Sequence, residues 1–302
     1  MPRQSRRPWD DDNDHHNLQL SLPSRPDIGV EVDDQPDQLD ADNEIDTSAT
    51  WAGYADAQAR GPQPPPSWLV TDDGAIDRDR GILKTGKEAD VHLVERTAPD
   101  GRSCLLAAKS YRSRQHRLFH RDAGYLEGRR VRRSRETRAM ATRTAFGLDL
   151  IAGQWAAAEH AALSRLWSLG LPVPYPAQLD GTRLLLEFIG DDAGVAAPRL
   201  AQVRAGRDEL AALWFDLHNA LIRLAEAGYA HGDLSAYNLL VDDGHIVMID
   251  LPQIVDIVGN PQGPDFLRRD VTNVCSWFSG HGIALDADVI ADELLDIALR
   301  RE

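Results

Sequence analysis

Cysteine and long apolar runs are what this sequence most lacks. Two cysteines, Cys104 and Cys275, stand far apart among 302 residues, and neither belongs to a CxxC pair or a His/Cys cluster. That argues against a disulfide framework and points to a reducing compartment. No stretch approaches the roughly 18–20 apolar residues needed to span a bilayer. The opening MPRQSRRPWDDDNDHH has basic residues but no apolar segment behind them, so it does not read as a secretory signal. The expectation is a soluble cytoplasmic protein that does not enter a membrane.

Acid, by contrast, is plentiful. The formal net charge is −15 and the sequence pI near 5.0. Residues 1–75 hold 16 of the 48 acids and only five of the 33 basic residues, so the imbalance sits mostly there. That stretch is rich in Asp, Pro, Gln and Asn and shows no sustained hydrophobic period. It reads as a disordered acidic, proline-rich tail ending in the linker-like RGPQPPPSWLV. Residues 112–143 are the opposite, with eleven arginines and three acids, Asp122, Glu127 and Glu136. Such a run is an exposed charged face or a surface for the phosphates of a nucleotide or nucleic acid. His116 and His120 lie four apart there, but no further ligand type gathers around them to suggest a metal site.

The remaining pattern alternates between two periods. In GILKTGKEADVHLVER, Ala89, Val91 and Leu93 alternate with Asp90, His92 and Val94, as in a strand after a glycine turn. Asp100-Gly101 marks a hairpin, and SCLLAAKSYR is the return strand, with Lys109 near its end. Residues 151–169 read as a helix with Trp155, Ala158, Ala162, Leu166 and Leu169 on one face and Glu159 beside it. Gly170 and PVPYP close it. TRLLLEFIG is a buried strand. A second helix carries Leu210, Leu213, Trp214, Leu217, Leu221 and Leu224 up to Gly228. Then come HGDLSAYN, a hairpin turning at Asp243-Gly244, and a C-terminal helix within DADVIADELLDIALRRE. The order predicts an α+β protein of two lobes with a cleft between them.

Phosphoryl transfer from ATP asks for little covalent chemistry. The nucleotide must be held, its charge neutralised and an acceptor aligned. The protein-kinase layout supplies a phosphate-covering loop, a strand lysine, a helix glutamate, a catalytic Asp, an Asn five residues later and a metal-binding Asp. This chain has candidates for all of these in order: Thr85-Gly86-Lys87-Glu88, Lys109, Glu159, Asp233, Asn238 and Asp250. Each alone is more often an ordinary surface residue or turn. HGD-x4-N, followed by Ile249-Asp250 and preceded by Lys109 and Glu159, is far more specific. Acids set in such apolar surroundings would be costly without a cation.

The chain resembles the RIO kinases, atypical members of the protein-kinase superfamily. The resemblance covers roughly 76–283 and rests on TGKEADV (85–91), AAKSYR (107–112), AEHAALSRL (158–166), LLLEFIG (184–190), HGDLSAYN (231–238), IDLPQ (249–253) and PDFLRRDVTNVCSWF (264–278). It implies a bilobal protein-kinase-like fold, with an antiparallel sheet and helix in the N-lobe (76–190) and a mainly helical C-lobe (191–302). The usual activation segment and peptide-binding helices would be missing. It also implies ATP, Mg²⁺ or Mn²⁺, a protein substrate that includes the chain itself, and serine autophosphorylation or ATPase activity. On the same grounds Lys109 and Glu159 form the phosphate-site pair and Asp233 is the catalytic Asp. Asn238 and Asp250 are metal ligands, Thr85, Gly86, Lys87 and Glu88 cover the phosphates, and Glu187 and Ile189 offer backbone groups to adenine. The arginine-rich stretch falls where the family carries a flexible insertion, and an RNA or ribosomal particle is the partner to expect there.

Two positions depart from the family pattern. Lys84 stands where a serine is usual, and Ala236 replaces an acid in the catalytic loop. HGD-x4-N also occurs in small-molecule phosphotransferases of the aminoglycoside and choline kinase type. A third reading is an ATP-binding switch on a ribonucleoprotein with little kinase turnover.

Overall fold

The computed structural model describes residues 49–112, 145–252 and 254–300. The arginine-rich stretch from 113 on, including His116 and His120, therefore lies outside the described residues, as do residues 1–48 and Gln253.

The described strands of the first lobe form one antiparallel sheet. Its members are β1 (Ala49–Trp51), β2 (Ala59–Arg60), β3 (Ile76–Thr85), β4 (Ala89–Thr97), β5 (Ser103–Tyr111), β6 (Pro176–Asp180) and β7 (Arg183–Glu187), in the spatial order β1-β3-β4-β5-β7-β6-β2. The β4–β5 hairpin turns at Gly101, whose φ of +89° is open to glycine at no steric cost. Helix α1 (Ala145–Ser168) packs across β5, β6 and β7 and stops at Gly170, with φ +72°.

The expected boundary at 75 is corrected by this sheet. β1 and β2, from the stretch read as a disordered tail, form its two edges. Between them, Tyr54 and Leu69 pack on Val94, Leu106, Ala108, Tyr175, Ala177 and Leu185. Ala52, Val70, Ala75 and Ala98 form a smaller cluster alongside. The chain from 52 to 75 is thus a strap over the sheet face opposite α1. Composition missed it because a few well-spaced apolar residues suffice when the sheet supplies the rest of the apolar surface. The strap also explains why Val94, placed by alternation on the polar face, is buried: both faces of β4 are covered there.

Under the strap lies a buried ion pair. Arg96 donates to Asp77 from Nε at 2.7 Å and from a terminal nitrogen at 3.0 Å, and to Gln178 Oε1 at 2.9 Å. Gln178 in turn donates to the Ala52 carbonyl at 2.9 Å, tying strap to sheet.

The second lobe is mainly helical. α2 (Arg207–Glu226) buries Leu210, Leu213, Leu217, Leu221 and Leu224, close to the predicted stripe. It is followed by β8 (Tyr229–Ala230), the hairpin β9 (Leu239–Asp242) and β10 (His245–Met248), β11 (Val255–Asp256), and helices α3 (Gly263–Gly280) and α4 (Ala287–Leu299). Asp243 and Gly244 both have positive φ, 48° and 81°, the turn geometry that matches the twist of a two-residue hairpin. Asp286 caps α4 by accepting from the Asp288 and Val289 amides. One apolar core runs from Tyr111 and Leu163 of the first lobe to Leu217, Val271 and Leu294 of the second. The two-lobed α+β kinase-like architecture is as the sequence predicts. Among the described residues no helix is long and apolar enough to cross a membrane.

Candidate active site

Strand alternation aims Lys109 and Tyr111 at α1, while Leu106 and Ala108 face the strap. On α1 the fully enclosed stripe is Ala152, Ala156, Glu159, Leu163 and Leu166, so Glu159 lies on the buried face rather than beside it. Of the predicted face, Ala158, Ala162 and Leu166 are buried, whereas Leu169 is half-exposed past the helix end. A carboxylate 1% exposed needs a cation, and Lys109 Nζ donates to Glu159 Oε1 at 2.7 Å.

The same ammonium donates to Asp250 Oδ1 at 2.8 Å, bridging the two lobes. Burial disfavours its charge, but the Glu159 and Asp250 carboxylates outweigh that and hold its pKa well above the ordinary lysine value. Asp250 shifts in the matching direction. Burial raises it, and Lys109, helped by His231 and Lys84, brings it below the usual carboxylate value. Asp250 sits at φ +64°, a left-handed conformation uncommon for non-glycine residues and found at functional sites.

The loop 231–238 is held from several sides. His231 Nε2 bonds the Ile249 carbonyl at 3.1 Å, and the Ile249 amide donates to the Asn238 carbonyl at 3.0 Å. These two bonds bring Asn238 and Asp250 to the same corner of the cleft. Asn238 Nδ2 donates to the Asp233 carbonyl at 2.8 Å, which turns its amide oxygen away from that contact. Asp233 itself is exposed. Ala236 is buried, and its carbonyl accepts from the Ala201 amide at 3.0 Å. From α3, Asp270 accepts from the Gly232 amide at 2.7 Å and the Leu234 amide at 2.9 Å. Arg269 donates to the Gly232 carbonyl, and Asn273 to that of Leu234 at 3.0 Å. Burial pushes the Asp270 carboxyl up, against the lowering effect of nearby His231 and the two amides.

Sequence reasoning singled out PDFLRRD without assigning Asp270 a role, and it passed over Tyr111 altogether. A signal existed for Tyr111, since it lies two residues beyond Lys109 on the same strand face. None existed for Asp270, whose partners are backbone amides more than 35 residues away.

Thr85–Glu88 form the turn between β3 and β4, with Thr85, Lys87 and Glu88 exposed. The Gly86 amide donates to the Ala89 carbonyl at 2.9 Å, and a Cβ on Gly86 would meet that same oxygen at 2.9 Å. The tightness of this turn requires glycine. Glu187 and Ile189 lie where the lobes join. The Glu187 amide donates to the Tyr175 carbonyl at 2.8 Å, and the Ile189 carbonyl accepts from Ala197 at 3.0 Å.

Among the described residues, no three His, Cys, Asp or Glu side chains gather as a metal cage. One carboxylate, Asp250, beside one amide oxygen, Asn238, is a sparse donor set. It fits a hard divalent ion that completes its shell with phosphate oxygens and water, as magnesium does.

A family model for the RIO domain matches residues 106–290. The RIO-type serine/threonine-protein kinase Rio1 of Haloferax volcanii is 35% identical over 225 residues, covering 73% of this chain and 70% of that protein. The serine/threonine-protein kinase RIO1 of Caenorhabditis elegans is 31% identical over 221 residues, 71% of this chain and 41% of its own length. Its Schizosaccharomyces pombe counterpart is 32% identical over 213 residues, 69% and 40%. The aligned part thus spans about two fifths of these eukaryotic relatives. With the matched region running from the strand of Lys109 through HGDLSAYN and α3 into α4, the chain belongs to the RIO family of atypical protein kinases.

Proposed function

We propose that the chain transfers the γ-phosphoryl group of ATP to serine or threonine hydroxyls of a protein, itself included, in a reaction that needs Mg²⁺ or Mn²⁺. The observation that carries this is Lys109, one half-buried ammonium held at 2.7 and 2.8 Å by a glutamate of one lobe and an aspartate of the other. A lysine so placed is positioned for phosphate oxygens, with Glu159 orienting it. Family membership favours a protein hydroxyl over a small-molecule acceptor.

In this reading Asp233 accepts the proton of the attacking hydroxyl. Its exposure at the cleft lets an incoming acceptor reach it. Asn238 and Asp250 would hold the metal, which supplies neutralisation of phosphate charge. The Thr85–Glu88 turn covers the phosphates, with Gly86 permitting close approach of the backbone. The Glu187 amide and the Ile189 carbonyl are engaged internally, so the Glu187 carbonyl and the Ile189 amide are the groups for adenine. The arginine count of 112–143 supports binding of RNA or a ribosomal particle, to be seen as a steep salt dependence that weakens when those arginines are replaced.

The decisive test is incubation of purified protein with radiolabelled ATP and Mg²⁺, followed by mass spectrometry to locate labelled residues. Label transfer or phosphate release is expected, abolished by EDTA and reduced about 10²–10⁴-fold in Asp233→Ala. Asp250→Ala should be as severe. Undiminished turnover in both variants would overturn the assignment.

A further inference from the structure

Tyr111 is held through both its backbone and its side chain. It is 7% exposed, its amide donates to the Thr182 carbonyl at 2.9 Å, and its ring lies 5.2 Å from Lys109 Nζ. Its hydroxyl donates to Glu159 Oε2, the carboxylate oxygen that Lys109 does not take. Burial and the Glu159 charge push the phenol well above its ordinary range, so it is a permanent donor here.

The arrangement has a consequence for the lysine. Glu159 is 1% exposed, so water does not fix its rotamer. With Oε2 engaged by Tyr111, the carboxylate turns Oε1 toward Lys109. The hydroxyl also draws charge from the carboxylate, which weakens its hold on the ammonium. A lysine bound less tightly by Glu159 can turn toward a phosphate, while the ring face beneath it keeps it in place.

We propose that Tyr111 is a positioning residue for nucleotide phosphates, acting through Glu159 to set where Lys109 Nζ stands. This rests on the reading of Lys109 as the phosphate-binding lysine. Its signature is selectivity within the nucleotide: Tyr111 governs affinity for the phosphate chain and leaves affinity for the nucleoside alone. A residue that merely filled the core would affect both alike.

Calorimetric titration of the full chain with ATP plus Mg²⁺ and, separately, with adenosine tests this. Tyr111→Phe keeps the ring and removes only the hydroxyl. It should weaken ATP about tenfold, the worth of one charge-assisted hydrogen bond, with adenosine affinity unchanged. In a Lys109→Met background, which itself loses ATP affinity, the same substitution should add nothing. Equal weakening of both ligands, no weakening of ATP, or full additivity with Lys109→Met would each overturn the proposal. Wild-type protein that fails to bind ATP, or Lys109→Met that binds it normally, would overturn the site assignment itself and this inference with it.

Discussion

Lys109, Glu159 and Asp250 were legible as candidates from order and spacing, and the family resemblance paired Lys109 with Glu159, but the contact of Lys109 with Asp250 was not legible. Nothing in the sequence says that one ammonium bonds both acids. Asp270 shows the limit more sharply, because its two partners are backbone amides and backbone amides have no sequence signature. Removing its carboxylate leaves the buried Gly232 and Leu234 N–H groups without acceptors. Asp270→Ala should therefore cost about 3 kcal/mol in a urea-denaturation comparison and lower turnover through the loosened 231–238 loop. His160 offers a pH test. It is buried on α1, its Nε2 has no partner among the described residues, and burial lowers its pKa from 6.5. As pH falls below about 6.5 the unfolded chain takes up a proton that the folded one resists. Its contribution to stability is complete above that pH and declines below it. The urea midpoint should drop between pH 7.5 and 5.5, and drop less in His160→Leu.

At the scale of elements, periodicity located β4, β5, β7, the body of α1, α2 and the β9–β10 hairpin, and left β1, β2, β3 and β6 unpredicted. The β4–β5 hairpin, α2 and the β9–β10 turn lie where Gly, Asp-Gly and leucine spacing put them. It erred on faces. Alternation assigned Val94 to a polar face because it assumes that one side of a sheet meets water, and the strap removes that side. Arg96 is fully buried for the same reason, paired with Asp77 beneath the strap. Removing one partner strands the other's charge in the core. Asp77→Ala should destabilise the protein by about 3–5 kcal/mol, read from denaturant midpoints, whereas exposed Asp100→Ala should change little. Tyr175 joins the same layer to the cleft. Its hydroxyl donates to the Pro62 carbonyl of the strap, and its own amide and carbonyl bond Glu187.

For the whole molecule, the strap makes residues upstream of the family match part of the folded body. A chain begun at residue 76 would expose Val94, Leu106 and Tyr175 and lose the burial of Tyr54 and Leu69. Exposing the three that remain should cost about 5–9 kcal/mol at roughly 1.5–3 kcal/mol per large apolar side chain, lowering Tm by about 10–30 °C. A calorimetric scan of the two lengths checks it. The sequence by itself determined the two-lobed α+β class and much of the element order, and it named the residues proposed for a phosphoryl-transfer site. It could do so because helix period, strand period and turn chemistry are local, and because the ordered set Lys109, Glu159, Asp233, Asn238, Asp250 is rare by chance. Only the tertiary structure decided that residues 49–75 pack on the sheet, that both faces of β4 are covered, and which groups hold the candidate site residues in place. Those outcomes depend on surfaces and backbone amides supplied by distant segments, and no local pattern encodes a contact whose two halves are separated by 141 residues, as Lys109 and Asp250 are.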